Sequence, residues 1–259
     1  MKRHKEAEEA YCQAIAIDPN YAYAYSRLGS LLRVLERYSE AEDAYREALV
    51  KEPNDIFTHW RFGALLMILE RYDEAEAIYR QAITKDPDNM SVPLINSDLG
   101  RLLRRLGRYI EAEESMRQAI AKHPNDIDFN RELAALLRST NREEEALPVL
   151  EKLINLEPNN FQYYLSTISI KKQLGQNVPE EYVKRARLYI PADDWYNLSC
   201  LESNCGNLDL ALEHLHRAAQ DKNFNLAWAW KDPDLEWIRN DPRFIEIVGP
   251  KPEDENSET

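Results

Sequence analysis

The chain has 259 residues, of which 44% are hydrophobic, with three cysteines and a formal net charge of -13 at pH 7. The hydrophobic fraction suffices for a sizeable core and argues against a disordered chain, while the acidic balance argues against nonspecific binding to nucleic acid or an anionic membrane. Cys12, Cys200 and Cys205 leave no disulfide framework, no apolar run approaches the ~18 residues of a membrane span, and "MKRHKEAEEAYCQ" lacks the apolar core of a signal peptide, so the expectation is a soluble cytoplasmic protein.

In chain order, one pattern recurs. Ala7, Tyr11, Ala14 and Pro19 give its second half alone. Gly29 then follows Leu28 and precedes Ala41, Tyr45, Ala48 and Pro53; Gly63 follows Phe62 and precedes Ala75, Tyr79, Ala82 and Pro87. Gly100 leads to Ala112, Met116, Ala119 and Pro124 after three extra residues around "NMSVP". Looser copies carry Leu133, Ala134, Ala146, Leu150 and Pro158, then Tyr163, Val183, Ala186 and Pro191, then Trp195, Leu198, Ala211, Leu215 and Ala218. Small residues suit the crossing of two closely packed helices, larger ones fill the space around it, and each proline marks a stop. Ser39 with Glu42, and Asp73 with Glu76, have the spacing of a capping box at the start of each second helix. Pro148 is expected to bend its helix, and Pro179 to mark the start of another.

The pattern resembles the tetratricopeptide repeat, a helix–turn–helix unit of 34 residues. The resemblance covers roughly Met1 to Asn223 and implies an all-α, right-handed superhelical solenoid of antiparallel helix pairs. The expected divisions are half a repeat at 1–21, repeats at 22–55, 56–89, 93–126, 127–159, 160–191 and 192–223, capping helices at 224–249 and a disordered acidic tail at 250–259. The stretch "DPDLEWIRNDPRF" looks like the closing element of bacterial tetratricopeptide arrays: Asp232 and Asp241 each cap a helix opened by proline, and Phe244, Ile245 and Val248 seal the last repeat. Because the pattern opens on a second helix, the expectation is that the natural protein begins further upstream.

No glycine-rich phosphate loop, H-E-x-x-H, G-x-S-x-G or C-x-x-C motif occurs, so no catalytic residue, cofactor or metal ligand is assigned and an enzyme is not expected. His214 and His216 are two apart on an expected helix and face different sides, and Cys200 and Cys205 are read as packing residues. The resemblance implies a partner groove lined by the first helices. One column there reads Arg33, Met67, Arg104, Arg138, Lys171 and Ser203, with Arg101, Arg105 and Arg131 beside it and Tyr23, Phe57, Trp60, Met67 and Ile68 towards the N-terminal side. The expected ligand is an acidic protein or peptide segment with an apolar anchor, although the helix macrodipole alone also favours cations in a last turn. Ser30, Ala64 and Arg101 at the core clamp column do not match the family's carboxylate clamp. Two other readings are an arm of a larger enzyme or secretion complex whose catalytic part lies outside this chain, and an RNA-binding helical repeat, which would be expected to be basic.

Overall fold

Within each helix pair, glycine and alanine occupy the crossings and a large side chain fills the adjoining space. The structure is a computed structural model, and it describes residues 2–222 and 224–252. Among these residues every regular element is a helix: α1 (Lys2–Ile17), α2 (Ala22–Val34), α3 (Tyr38–Lys51), α4 (Ile56–Ile68), α5 (Tyr72–Lys85), α6 (Val92–Arg105), α7 (Tyr109–Lys122), α8 (Ile127–Ser139), α9 (Glu143–Leu156), α10 (Phe161–Gln173), α11 (Glu180–Tyr189), α12 (Trp195–Cys205), α13 (Leu208–Ala218), α14 (Leu226–Ala229), a 3-10 helix (Pro233–Ile238) and α15 (Pro242–Val248). The fold is thus an all-α array of consecutive helix pairs. The chain divides into two compact units, Met1–Leu136 and Leu137–Thr259. Most of the expected tail, 253–259, lies outside the described residues, as does Asn223.

In the first unit the pairs α2/α3, α4/α5 and α6/α7 repeat one packing scheme. Ala41, Ala75 and Ala112 are fully buried, and Tyr45, Tyr79 and Met116 pack against Gly29, Gly63 and Gly100 of the preceding helix. The three extra residues before Gly100 are absorbed twice over. The joint between α5 and α6 spans 86–91 where that between α3 and α4 spans 52–55, and α6 has 14 residues where α4 has 13. α9 runs through Pro148, and α11 opens at Glu180 with Pro179 as its cap residue.

The capping boxes do not form. α3 begins at Tyr38 and α5 at Tyr72, with Arg37 and Arg71 as cap residues and no side-chain cap bond. The reason lies in the turn before them. Glu36 adopts a left-handed conformation (φ 60°), its N–H bonds to the Arg33 carbonyl, and the Arg37 N–H bonds to the Leu32 carbonyl, a Schellman ending. The Arg37 carbonyl already accepts from the Ala41 N–H, so one residue both closes α2 and opens α3. Glu70/Arg71 and Gly107/Arg108 repeat this turn, and Asn141/Arg142 repeats its Schellman bonds in the second unit. Side-chain caps instead open first helices: Asp55 accepts from the Phe57 N–H, and Asn160 from the Gln162 N–H. Since Glu36 pays the steric cost of a left-handed residue, Glu36→Gly is expected to raise stability by about 0.5–1 kcal/mol, read from chemical unfolding.

These cap arginines also carry an ion-pair ladder along the second helices of the first unit. Arg37 bonds to Glu40 in α3 and Glu8 in α1; Arg71 bonds to Glu74 in α5 and Glu42 in α3; Arg108 bonds to Glu111 in α7 and Glu76 in α5, all at 2.6–2.8 Å. Arg46 and Arg80 add a second partner to Glu42 and Glu76. Partial burial pushes the Glu42 and Glu76 carboxyls up, but the arginine hydrogen bonds outweigh it; both groups, with Glu40, Glu74 and Glu111, sit below the ordinary 4.5. A depressed folded-state pKa stabilises above the unfolded value and loses that stability as pH falls through the folded one. Thermal midpoints are therefore expected to fall between about pH 5 and about pH 3, and Glu42→Gln to flatten that acid limb. Salt at neutral pH should lower the midpoint of the parent more than that of Glu42→Gln, because exposed pairs are screened.

In the second unit the expected caps of the closing element form. Asp232 accepts from the Asp234 N–H and Asp241 from the Arg243 N–H. Phe244 is fully buried and Val248 6% exposed, packed with Leu215, Leu235 and Ile238. Ile245, expected to share in the seal, is 48% exposed; successive helix positions lie about 100° apart, and with Phe244 inward its neighbour faces solvent.

Candidate functional site

The first helices α2, α4 and α6 of the first unit present most of the groove residues expected from sequence. Tyr23 is 51% exposed, with the Arg27 guanidinium 4.9 Å from its ring centre. One helix further, Phe57 carries the Arg61 guanidinium at 4.4 Å and meets Trp60 edge-on at 5.3 Å. Trp60 is partly buried in the core and donates its indole N–H to Asp98 at 2.7 Å. Burial pushes the Asp98 carboxyl up, against the Trp60 hydrogen bond and the charge of Arg101.

Four of the expected arginines of this unit have acidic neighbours. Arg101 reaches Asp98 at 3.2 Å and one oxygen of Glu132 at 3.7 Å; Arg104 reaches the other oxygen of Glu132 at 3.6 Å. Arg105 lies 3.7 Å from Glu70 and over the Tyr72 ring at 5.2 Å, and Arg131 pairs with Asp128. The Nε atoms of Arg33 and Arg104 are buried without a partner. A hollow of about 400 Å³ opens beside these side chains, with Ala64, Met67, Ile68 and Tyr79 next to Asp98, Glu70, Arg101 and Arg105. The pairs around it at 3.6–3.7 Å exceed the 2.7–2.9 Å of a strong charge-assisted hydrogen bond.

Arg138 and Lys171 belong to the second unit. Arg138 donates to Ser166 at 2.9 Å, and Lys171 pairs with Glu151 at 3.0 Å with only 14% of its side chain exposed. The same unit holds a buried polar cluster that was not foreseen. Cys200, Asp232 and Asp234 bring ligand atoms within 4.8 Å of one another. Asp232 already accepts from Tyr196, from the Trp228 indole at 3.2 Å and from the Asp234 N–H, while Asp234 accepts from Asn204 at 3.3 Å. Protein donors thus meet these carboxylates, and burial, with the charges of Asp234 and Asp232, pushes the Cys200 thiol well up. The cluster fastens the closing element to α12. His214 stacks on Trp195 at 5.6 Å while His216 is exposed, as their spacing implies.

Column reading of the last turns passed over Arg27 and Arg61. The signal was present: Tyr23/Arg27 and Phe57/Arg61 recur at the repeat period, each an aromatic residue four before an arginine.

No helix among the described residues is long and apolar enough to cross a membrane. Comparison with curated proteins finds no match. Among solved structures, PilW, a widely conserved type IV pilus biogenesis factor, aligns with a TM-score of 0.63 at 21% identity over 74% of this chain and 88% of its own. Pseudomonas aeruginosa PilF aligns with a TM-score of 0.63 at 18% identity over 86% and 95%, respectively. YrrB, a tetratricopeptide protein with an unusual peptide-binding site, gives 0.59 at 19% identity over 71% and 94%. At these identities the likeness is one of fold. Tetratricopeptide repeat family models match residues 22–55, 55–124 and 103–168, and another matches 1–21. Together they span more than half of the sequence, and the chain belongs to the tetratricopeptide repeat family, whose members are in general protein-interaction scaffolds rather than catalysts.

Proposed function

We propose that the chain is a non-enzymatic scaffold whose first-helix face in the Met1–Leu136 unit holds an acidic partner segment with one apolar anchor. The observation that supports this reading is the hollow in which Met67 and Ile68 stand beside Arg101 and Arg105. Ile68 is 46% exposed, an apolar contact offered to solvent, and the two arginines have more than half of their side chains free. An apolar side chain seated there brings flanking carboxylates within reach of both guanidinium groups, of which Arg105 has only a long pair to Glu70. Each hydrogen-bonded contact to a charged group contributes about 1.5–3 kcal/mol, and fully exposed pairs much less.

The test is selection from a random peptide library on the full chain. Selected peptides should be enriched in Asp or Glu around an aliphatic or aromatic residue. Arg101→Ser with Arg105→Ser should weaken them at least tenfold, with the difference shrinking as salt rises. Met67→Glu should abolish binding. Selected peptides without acidic enrichment, or ones indifferent to the double substitution, would sink the reading.

A further inference from the structure

Arg27 and Arg61 stand apart from the other arginines of the first unit. Arg33 aside, those described above are matched to glutamate or aspartate. Among the described residues, neither Arg27 nor Arg61 has an ion pair or a hydrogen-bond partner, in a chain with thirteen more acidic than basic residues by formal charge (-13). Instead each guanidinium lies against a ring of its own helix, Arg27 over Tyr23 at 4.9 Å and Arg61 over Phe57 at 4.4 Å. The two helices are joined beside them, where the Ser26 hydroxyl donates to the Thr58 hydroxyl oxygen at 2.7 Å. Asp55 acts on Arg61 through its charge without pairing with it, and its carboxylate accepts from the Phe57 N–H and the Thr58 hydroxyl.

We infer that Arg27 and Arg61, framed by Tyr23 and Phe57, bind the phosphate group of a phosphate ester carried by a partner. Three features point to this occupant. Two neighbouring guanidinium groups without an ion pair offer more donors than the two oxygens of one carboxylate can engage, and the three oxygens of a phosphate ester can meet both. Guanidinium forks stacked on rings are pre-oriented for the oxygens of phosphate, so less freedom is lost on binding. The exposed faces of Tyr21, Tyr23 and Phe57 offer contact to the organic group that bears the phosphate, which inorganic phosphate lacks. The electrostatics agree: burial, then the neighbouring Arg27 charge, pull Arg61 below its ordinary value, so a bound anion relieves a repulsion present in the free protein.

The inference rests on the first-helix face being the partner surface, but it concerns a different set of side chains from the Met67 hollow. The full chain is titrated with phenyl phosphate, with benzoate and with inorganic phosphate, following indole fluorescence, since Trp60 touches Phe57. Phenyl phosphate should saturate the signal at least tenfold more tightly than either other ligand. Arg27→Gln and Arg61→Gln, each with a parental thermal midpoint, should weaken phenyl phosphate at least tenfold, whereas Arg101→Ser with Arg105→Ser should leave it unchanged. Benzoate binding as tightly would overturn the dianion assignment, and inorganic phosphate binding as tightly would overturn the ester. Loss in the Arg101/Arg105 variant equal to that in Arg61→Gln would reduce the site to diffuse attraction and overturn it. Failure of the peptide selection with phenyl phosphate binding intact would remove the hollow and leave this site standing.

Discussion

Replacing Gly63 by alanine is expected to destabilise the protein by about 1–3 kcal/mol, even though alanine is the better helix former by about 1 kcal/mol. A Cβ on Gly63 would lie 2.3 Å from Tyr79 Cε1, with two more atoms of that ring within 2.8 Å. The ring cannot withdraw, because Tyr79 is fully buried among Ala75, Ala82 and Leu99 in the core of the first unit. The equivalent glycines provide an internal scale. At Gly100 the nearest atom is Met116 Cγ at 2.7 Å, on a flexible side chain that can move, and at Gly29 it is Tyr45 Cδ1 at 2.9 Å. The expected order of loss in thermal midpoint is therefore Gly63→Ala first, then Gly29→Ala and Gly100→Ala. A Gly63→Ala protein as stable as the parent would show that α4 and α5 do not cross at this residue.

Phe244→Ala is expected to cost about 3–5 kcal/mol, the loss typical of a fully buried phenyl group. The ring meets Trp230 edge-on at 5.0 Å and fills the space between α13, the 3-10 helix and α15. Its sequence neighbour supplies the control. Ile245 is 48% exposed, and Ile245→Ala should shift stability by no more than about 0.5 kcal/mol. In a repeat array the loss can stay local, so amide exchange along α12 and α13 should accelerate while α4 and α5 keep their protection. Equal effects of the two substitutions would mean that the closing element is not packed as described.

Sequence alone shows the helix pairs clearly because packing at a crossing is a matter of size. Only glycine lets Tyr79 lie where it does, and only alanine fits at position 75, so the pattern of small and large residues is a direct print of the contact. The joints were harder to read. Glu36 and Glu70 hold a left-handed conformation usually given to glycine or asparagine, and with no telltale residue the expected caps were placed two residues late. The ladder was in plain view as Arg37, Arg71 and Arg108, yet which glutamate each would meet depends on how successive helices stack. The candidate site was legible as a face rather than as a set of partners. Column reading proposed Met67, Arg101 and Arg105, but it could not show that Lys171 is covered and paired to Glu151. Nor did it reveal that Arg27 and Arg61 are left without ion pairs, which emerges only once other pairs are made.

The shared cap arginine has a consequence for how much chain the array can accept. Inside the pairs of the first unit there is no spare segment: Arg37 ends one helix and begins the next, so any added residue must unwind a turn or rotate a helix out of register. Between pairs the connection carries slack, and the sequence has already used it, with its longer stretch at 86–91 accommodated ahead of α6. A short polar peptide spliced between Asn89 and Met90, where Met90 is 86% exposed, should leave the fold intact, whereas the same peptide after Glu36 should not. Growth by insertion is therefore open to the first unit at one kind of joint and closed at the other.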